Sequence, residues 1–239
     1  SQAREAFLEE HRQTLEARAV NLRGRRIEVT TEVDWAADVE QRILDHVKAY
    51  GPDLLIKEIE QVSTLRRAFY TPLDWQLLRD CPVPVYLVGG SGYVLPRKVL
   101  AAVEVSDIES ADNSLNEQII RQASALAIQC DAELHLLYAC DISAAYLADM
   151  GGSPLAELTR SLREDLQKSF LRLAGQFGVA SSQRHFVEGR PVSVLSEFAD
   201  EQHVDVIVMG RVRNRGLRKW LGSTTEHILY QVPCCVLAV

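Results

Sequence analysis

Two stretches of this chain lie 151 residues apart and carry the same pattern. VYLV at 85–88 falls on VLAV at 236–239, Pro82 falls on Pro233, and the apolar run after Asp53 falls beside the run after Asp205. In a chain of 239 residues, an offset of that size describes two copies of one folding unit rather than one large domain. On that offset residues 1–88 match only the rear of the second half, so the first copy lacks an opening strand, helix and strand. A sheet missing the strand at its centre leaves backbone groups and an apolar face without partners. The expectation is therefore a longer natural protein, or one whose opening elements were cut away or not observed. Gly89-Gly-Ser-Gly92 is the one plausible linker, and it divides the chain into 1–90 and 91–239.

Hydrophobic spacing assigns the elements. Phe7, Leu8, Leu15, Ala19 and Leu22 share one side of a helix over 2–22 that Gly24 stops. Ile27, Val29, Thr31 and Val33 alternate with polar residues, which predicts a strand; Val39, Ile43 and Val47 predict a helix ending at Gly51-Pro52. A short strand at 53–56, a helix at 72–80 and a strand at 85–88 complete the first half. The second half reads as strands at 99–105, 133–140, 183–188, 204–209 and 236–239, with helices at 114–129, 154–177 and 191–202. Apolar strands alternating with amphipathic helices predict an α/β fold, a parallel sheet covered on both faces.

With 33 acidic and 26 basic residues the net charge is −7, a field that repels DNA and anionic membranes. Five cysteines without CxxC or histidine at ligand spacing argue against a disulfide framework and a zinc site. No apolar run reaches the ~18–20 residues of a membrane span, and the charged start SQAREAFLEEHRQ is unlike a signal peptide. A cytoplasmic protein without membrane insertion is expected.

The chemistry concentrates in VDVIVMGRVRNRGLRKWLGSTTEHILYQVPCCVLAV, residues 204–239. A buried strand ends in glycine, a basic loop follows, and Gly-Ser-Thr opens a helix. Glycine lets backbone N–H groups approach a phosphate closely, and a helix N-terminus adds free donors and a positive dipole end. Ligands of open parallel sheets bind at the carboxyl ends of strands, where Gly210 and Glu104 are both expected.

This half resembles a universal stress protein domain, whose signature is G-x2-G-x9-G-[ST] after the fourth strand; VLAAVEV (99–105) and FVEGRP (186–191) stand where such domains have theirs. FYTPLDWQLLRDCPVPVYLV (69–88) resembles the tandem-domain subtype, so the likeness spans essentially the whole chain. It implies two tandem Rossmann-like domains, the first without its opening strand-helix-strand, and a binding and regulatory role in stress or growth arrest. It also implies an adenine-nucleotide pocket built from Glu104, Val105, Ser106, Met209, Gly210, Arg211, Arg213, Gly222, Ser223 and Thr224. ATP, ADP or AMP would bind weakly there, and no cofactor is required. Because paired domains of the family join through their last strands, 85–88 and 236–239 should pair antiparallel as an intramolecular pseudo-dimer, with further self-association and protein partners left open.

The signature is only partly kept. Arg213 stands at the second glycine and the loop to Gly222 is one residue short; a guanidinium there either crowds a phosphate or holds it. Glu104 is one methylene longer than the aspartate the family uses. In the first half Glu58 replaces Gly210 and Thr71-Pro72 replaces Gly222-Ser223, so residues 53–80 are expected to hold no phosphates.

Plainer readings compete. Ser223 and Glu226 form a capping box that helix stability alone explains. The run Arg211, Arg213, Arg215, Arg218 and Lys219 suits a solvated loop as well as an anion. Cys234 and Cys235 read as buried strand residues. His135, His185 and His203 each stand alone, and no Ser/His/Asp order or paired carboxylates can be assembled, so no catalytic or metal residue is assigned. The loop VEVSDIES (103–110) lacks the glycines of an ATP pyrophosphatase loop, and HIGH and KMSKS elements of tRNA synthetases are absent. A slow ATP hydrolase, a carrier of another small or apolar ligand, and an interaction scaffold remain alternatives.

Overall fold

The computed structural model of the chain describes residues 2–59, 73–89, 95–106, 113–142, 155–211, 228 and 231–239. In chain order the helices are α1 (Gln2–Gly24), α2 (Val39–Tyr50), α3 (Leu73–Asp80), α4 (Asn113–Cys130), α5 (Leu155–Gln176) and α6 (Pro191–Glu201). The strands are β1 (Leu55–Glu58), β2 (Val85–Val88), β3 (Lys98–Ala102), β4 (Glu133–Cys140), β5 (Arg184–Glu188), β6 (Val206–Met209) and β7 (Cys235–Ala238). The proposed linker falls at the edge of the described residues, with 90–94 outside them. The chain separates into two compact units, Ser1–Ile43 and Leu44–Val239.

The second unit holds one seven-stranded sheet in the order β1-β2-β7-β6-β3-β4-β5. Every neighbouring pair is parallel except β2 with β7. That exception is the expected junction of the two copies. Val85 pairs with Ala238, Tyr86 with Leu237 and Leu87 with Val236. Adding the repeat offset turns the first pair into the last and maps Tyr86 onto its own partner, so a pseudo-two-fold axis passes through the Tyr86–Leu237 pair. Two edges that would otherwise stay open close on each other.

Alternation along the strands sorts side chains to two faces. Val99, Ala101, Leu136, Tyr138, Val206, Val208, Cys235 and Leu237 belong to one buried cluster with Ile119, Ile120, Ala123 and Ala127 of α4 and Phe170, Leu173 and Ala174 of α5. The helical members recur at three- and four-residue spacing, the stripe that turns a helix onto a sheet. Residues between them on the strands, Leu100, Leu137, Ile207 and Val236, are buried as well, and α6 buries Val194, Leu195 and Ala199.

Three helices hand the chain to the next strand in one way. Asp131 (φ 54°), Gly178 (φ 66°) and His203 (φ 52°) take the left-handed conformation after α4, α5 and α6. The following N–H then bonds back five residues: Ala132 to Ala127 (2.8 Å), Val179 to Ala174 (3.1 Å) and Val204 to Ala199 (2.9 Å). This C-cap satisfies carbonyls the helix leaves open and reverses the chain sharply. At the start of the sheet Asp205 Oδ2 accepts the N–H of Arg97 (2.8 Å) and of Lys98 (2.9 Å), fixing β3 against β6.

One expected strand does not form. Residues 27–36 have no regular structure despite their alternation. The repeat equates this stretch with β5, which is held by β4; among the described residues α1 precedes this stretch and no strand pairs with it. Without a neighbour a strand has no ladder, and alternation alone does not make one. Instead the segment runs back along α1 within the first unit: Arg23 Nε donates to Val29 O at 2.9 Å and Thr31 Oγ1 to Glu16 at 3.0 Å. Farther along, Trp35 meets Phe7 edge-on at 6.0 Å, under the Arg4 guanidinium at 5.2 Å. Smaller corrections are shifts of a few residues: the first-half strand is β1 at 55–58, and ladder pairing in the strand expected over 99–105 covers only Lys98–Ala102.

Candidate functional site

The carboxyl ends of β3 and β6 lie side by side, since Ala102 pairs with Met209. Beyond β3 the chain continues through Val103, whose N–H bonds Leu137 O at 3.0 Å, to the exposed Glu104, the buried Val105 and the exposed Ser106. Beyond β6 come Gly210 and Arg211. The backbones of six of the ten expected nucleotide residues therefore lie at or just past these two strand ends, the place where a ligand crevice is expected: Glu104, Val105, Ser106, Met209, Gly210 and Arg211. Arg213, Gly222, Ser223 and Thr224 lie outside the described residues, as does the basic loop.

Glu104 is held rather than free. Its carboxylate accepts the Ser106 N–H at 2.8 Å. Burial, then the adjacent Glu104 carboxylate and its hydrogen bond, push the Tyr138 phenol well above its ordinary range, so the hydroxyl stays a donor toward Glu104. The backbone of Glu104 is held too: its N–H bonds Asn116 Oδ1 at 3.0 Å, and its carbonyl accepts from Asn116 Nδ2 at 2.6 Å. Asn116 is only 8% exposed, and this paired bond pins the start of α4 to the end of β3. Sequence reasoning passed over Asn116; the available signal was a carboxamide in the first turn of the helix that follows the strand.

Gly210 is needed for the packing above it. A Cβ there would stand 2.8–3.1 Å from three Leu115 carbons, so the Leu115 side chain lies directly over the glycine. Arg211 points out of the crevice altogether. Its guanidinium donates to Leu78 O (3.2 Å), Cys81 O (2.9 Å) and Val83 O (3.1 Å), the carbonyls at the end of α3 and the turn after it. A cation at a helix C-terminus complements the dipole and the open carbonyls. The first arginine of the basic run thus joins the second copy to the first.

The same point can be located in the first half. Ile59 N–H bonds Val88 O at 2.9 Å, and Arg211 N–H bonds Val239 O at 2.8 Å. Val88 and Val239 are equivalent on the repeat, so Glu58 occupies the place of Gly210. The preceding residue, Lys57, forms an ion pair at 2.8 Å with Asp74 of α3, whose side chain is fully buried. Thr71 and Pro72 fall outside the described residues.

One expectation is corrected away from this crevice. His135 and His185 do not stand alone: their ring nitrogens are 2.9 Å apart across β4 and β5. Spacing along the chain does not reveal neighbours across a sheet. Cys234 and Cys235 are buried, as expected of strand residues; Cys81 and Cys140 are buried too, and all five thiols are free. Burial and the neighbouring Cys235 push the Cys234 thiol up to about 12. Among the described residues no helix is long and apolar enough to cross a membrane.

Comparison with known proteins agrees with the fold. The model of the universal stress protein family matches residues 1–89 and 97–239. The chain is 26% identical over 242 residues to the universal stress protein E homolog of Haemophilus influenzae, covering 100% of this chain and 78% of that protein. It is 30% identical over 217 residues to universal stress protein E of Photorhabdus laumondii, covering 89% of this chain and 69% of the relative. Among solved structures, a putative universal stress protein from Pseudomonas aeruginosa is similar with a TM-score of 0.79 and 29% identity, over 96% of this chain and 78% of the other.

Proposed function

The chain belongs to the universal stress protein family, and from that premise we propose that it is a binding and regulatory protein of the stress response. Its second copy keeps a degenerate adenine-nucleotide pocket and its first copy has none. The observation that carries this reading is the pair of equivalent strand ends, Gly210 in one and Glu58 in the other. A carboxylate repels a phosphate and offers it no donor, and the ammonium of Lys57 that would offset it is drawn to Asp74. At Gly210 the approach stays backbone-like, but Leu115 narrows it and Arg211 is engaged elsewhere.

Efficient turnover is not part of the reading. Hydrolysis needs a base or a metal-held water near the terminal phosphate, and among the described residues the carboxylate at these strand ends, Glu104, is occupied by Ser106 and Tyr138. A carrier of a small apolar ligand is the second reading, favoured by the Leu115 side chain over Gly210.

Isothermal titration of ATP, ADP and AMP into the intact chain tests the proposal. The expected result is one site per chain with a Kd on the order of 0.1 mM or weaker, tightened several-fold by Arg213→Gly. Two sites per chain, or a Kd on the order of 1 µM in the unaltered protein, would overturn it. Absence of all three nucleotides with retention of an apolar dye would favour the carrier.

A further inference from the structure

In register, Lys98 pairs with Glu133, Leu100 with His135 and Leu137 with His185, so Lys98, Glu133, His135 and His185 share one face near the amino end of the sheet. Helix α6 packs there, with the Phe198 ring 4.6 Å from that of His185. His135 Nδ1 and His185 Nε2 are 2.9 Å apart, the ring planes differ by 10°, and the ring centroids are 5.2 Å apart. That centroid distance is the nitrogen separation plus about one ring radius at each end. The two nitrogens therefore oppose each other on the line joining the rings.

A contact of this kind holds one hydrogen and no more. His135 Nε2 lies 3.2 Å from Glu133 Oε2, and a carboxylate only accepts, so Nε2 carries a hydrogen. In neutral His135 the lone pair is then on Nδ1, and the hydrogen between the rings belongs to His185 Nε2. A first added proton goes to His185 Nδ1, on the far side of that ring, and leaves the bond between the rings in place. A second has only His135 Nδ1, where two N–H groups would point at each other across 2.9 Å. Neither would have an acceptor, and two imidazolium charges would repel.

We propose that the His135–His185 pair is an acid-operated latch on β5, closed while the two rings share one hydrogen and opened when each carries its own. β5 is the last strand of the sheet and is held through β4. The rungs Leu136–Arg184 and Leu137–His185 lie beside the latch, so its opening acts on the first turns of the ladder. At the far end Gly189 N–H bonds Cys140 O at 3.0 Å, a main-chain contact that no proton alters. Acid therefore frays β5 from its amino end, a local opening of an edge strand rather than loss of the fold.

The surroundings favour the closed, less protonated pair. From β3 the Lys98 ammonium, bonded to Gln202 O at 2.7 Å, opposes added positive charge. From β4 the Glu133 carboxylate attracts it, but that side chain is 65% exposed and water screens it. On β5 itself Arg184 turns to Val179 O at 2.8 Å and Glu188 pairs with Arg163. α6 presents the apolar Phe198, while its Glu197, Asp200 and Glu201 are exposed. Burial, then His135 and Lys98, hold the His185 pKa below its ordinary value. A depressed histidine stabilises the closed form above the unfolded value of about 6.5, and that stabilisation is lost as pH falls below it through the folded value.

The test is amide hydrogen exchange of the intact chain at about pH 7.5 and about pH 5.5, read as protection factors so that the intrinsic pH dependence cancels, with NMR of the imidazole nitrogens alongside. Protection at 184–187 should fall about tenfold or more at the lower pH, one refused proton per site opened, while β3 and β6 hold theirs. At the higher pH both rings should carry hydrogen on Nε2. His185→Gln should abolish most of the fall, because its amide offers N–H to neutral His135 or, once flipped, C=O to the protonated ring. His203→Asn removes an exposed histidine at a left-handed position that asparagine tolerates, and should leave the fall unchanged. If His185→Gln does not fold by circular dichroism, the imidazole signals of the unaltered chain decide. A fall at 184–187 no larger than at β6, an equal fall in folded His185→Gln, or two protonated rings with β5 still protected would overturn the proposal.

Discussion

At the carboxyl end of β1 the chain leaves the sheet through Glu58 and Ile59, and at the carboxyl end of β6 it leaves through Gly210 and Arg211. The backbone treats both in the same way, with Ile59 N–H on Val88 O and Arg211 N–H on Val239 O. The side chains do not. Beside the first strand end Lys57 pairs with the buried Asp74, whereas at the second Leu115 packs on Gly210 itself. Sheet register depends on main-chain groups that every residue carries, so a duplicated domain can keep its ladder while its two ligand ends diverge.

The largest expected effect breaks the device of the first copy. Lys57→Met removes the cation that lies 2.8 Å from the fully buried Asp74, and urea unfolding should register a loss of about 3–5 kcal/mol. The double change Lys57→Met with Asp74→Leu should recover most of that loss, because two apolar groups leave no buried charge. Arg211→Ala follows, with a loss of about 2–3 kcal/mol from three charge-assisted bonds to carbonyls. Its particular signature is faster amide exchange in α3, in the other copy from the substitution. Arg211→Lys should not restore protection, since an ammonium cannot span three carbonyls as a guanidinium fork does.

Equivalent substitutions at the two strand ends sharpen the contrast further. Gly210→Ala drives a methyl into Leu115 and should cost about 1–3 kcal/mol, relieved when Leu115→Ala is added. Glu58→Ala, at the same place in the first copy, should change stability by less than about 0.5 kcal/mol because the side chain is exposed. The smallest effect concerns the thiols. A disulfide reagent at pH 8 should modify the half-buried Cys130 quickly and leave Cys81, Cys140, Cys234 and Cys235 until the protein unfolds. Fast modification of Cys234, whose pKa is pushed up to about 12, would show that β7 and the turn before it open readily.

The repeat made much of this legible in advance. Antiparallel pairing of 85–88 with 236–239 follows from two copies closing on one edge, and it is present in the register. The equivalence of Glu58 and Gly210 also survived, because both are anchored to the same pair of hydrogen bonds. Residues 27–33 misled, since alternation reports which face a strand would bury but not whether a neighbour exists to hold it. Asn116 and Arg211 act on backbone atoms of other elements, and backbone acceptors carry no residue identity to read. His135 and His185 are 50 residues apart, and only the register of β4 on β5 brings them together.

Hydrogen exchange with and without saturating ATP tests the asymmetry of the two copies most directly. The account predicts added protection at 103–106 and 206–211, around the crevice between β3 and β6, and none at 55–59. Protection at 55–59 equal to that at 206–211 would contradict it, because the strand end carrying Glu58 would then be a nucleotide site like the one carrying Gly210.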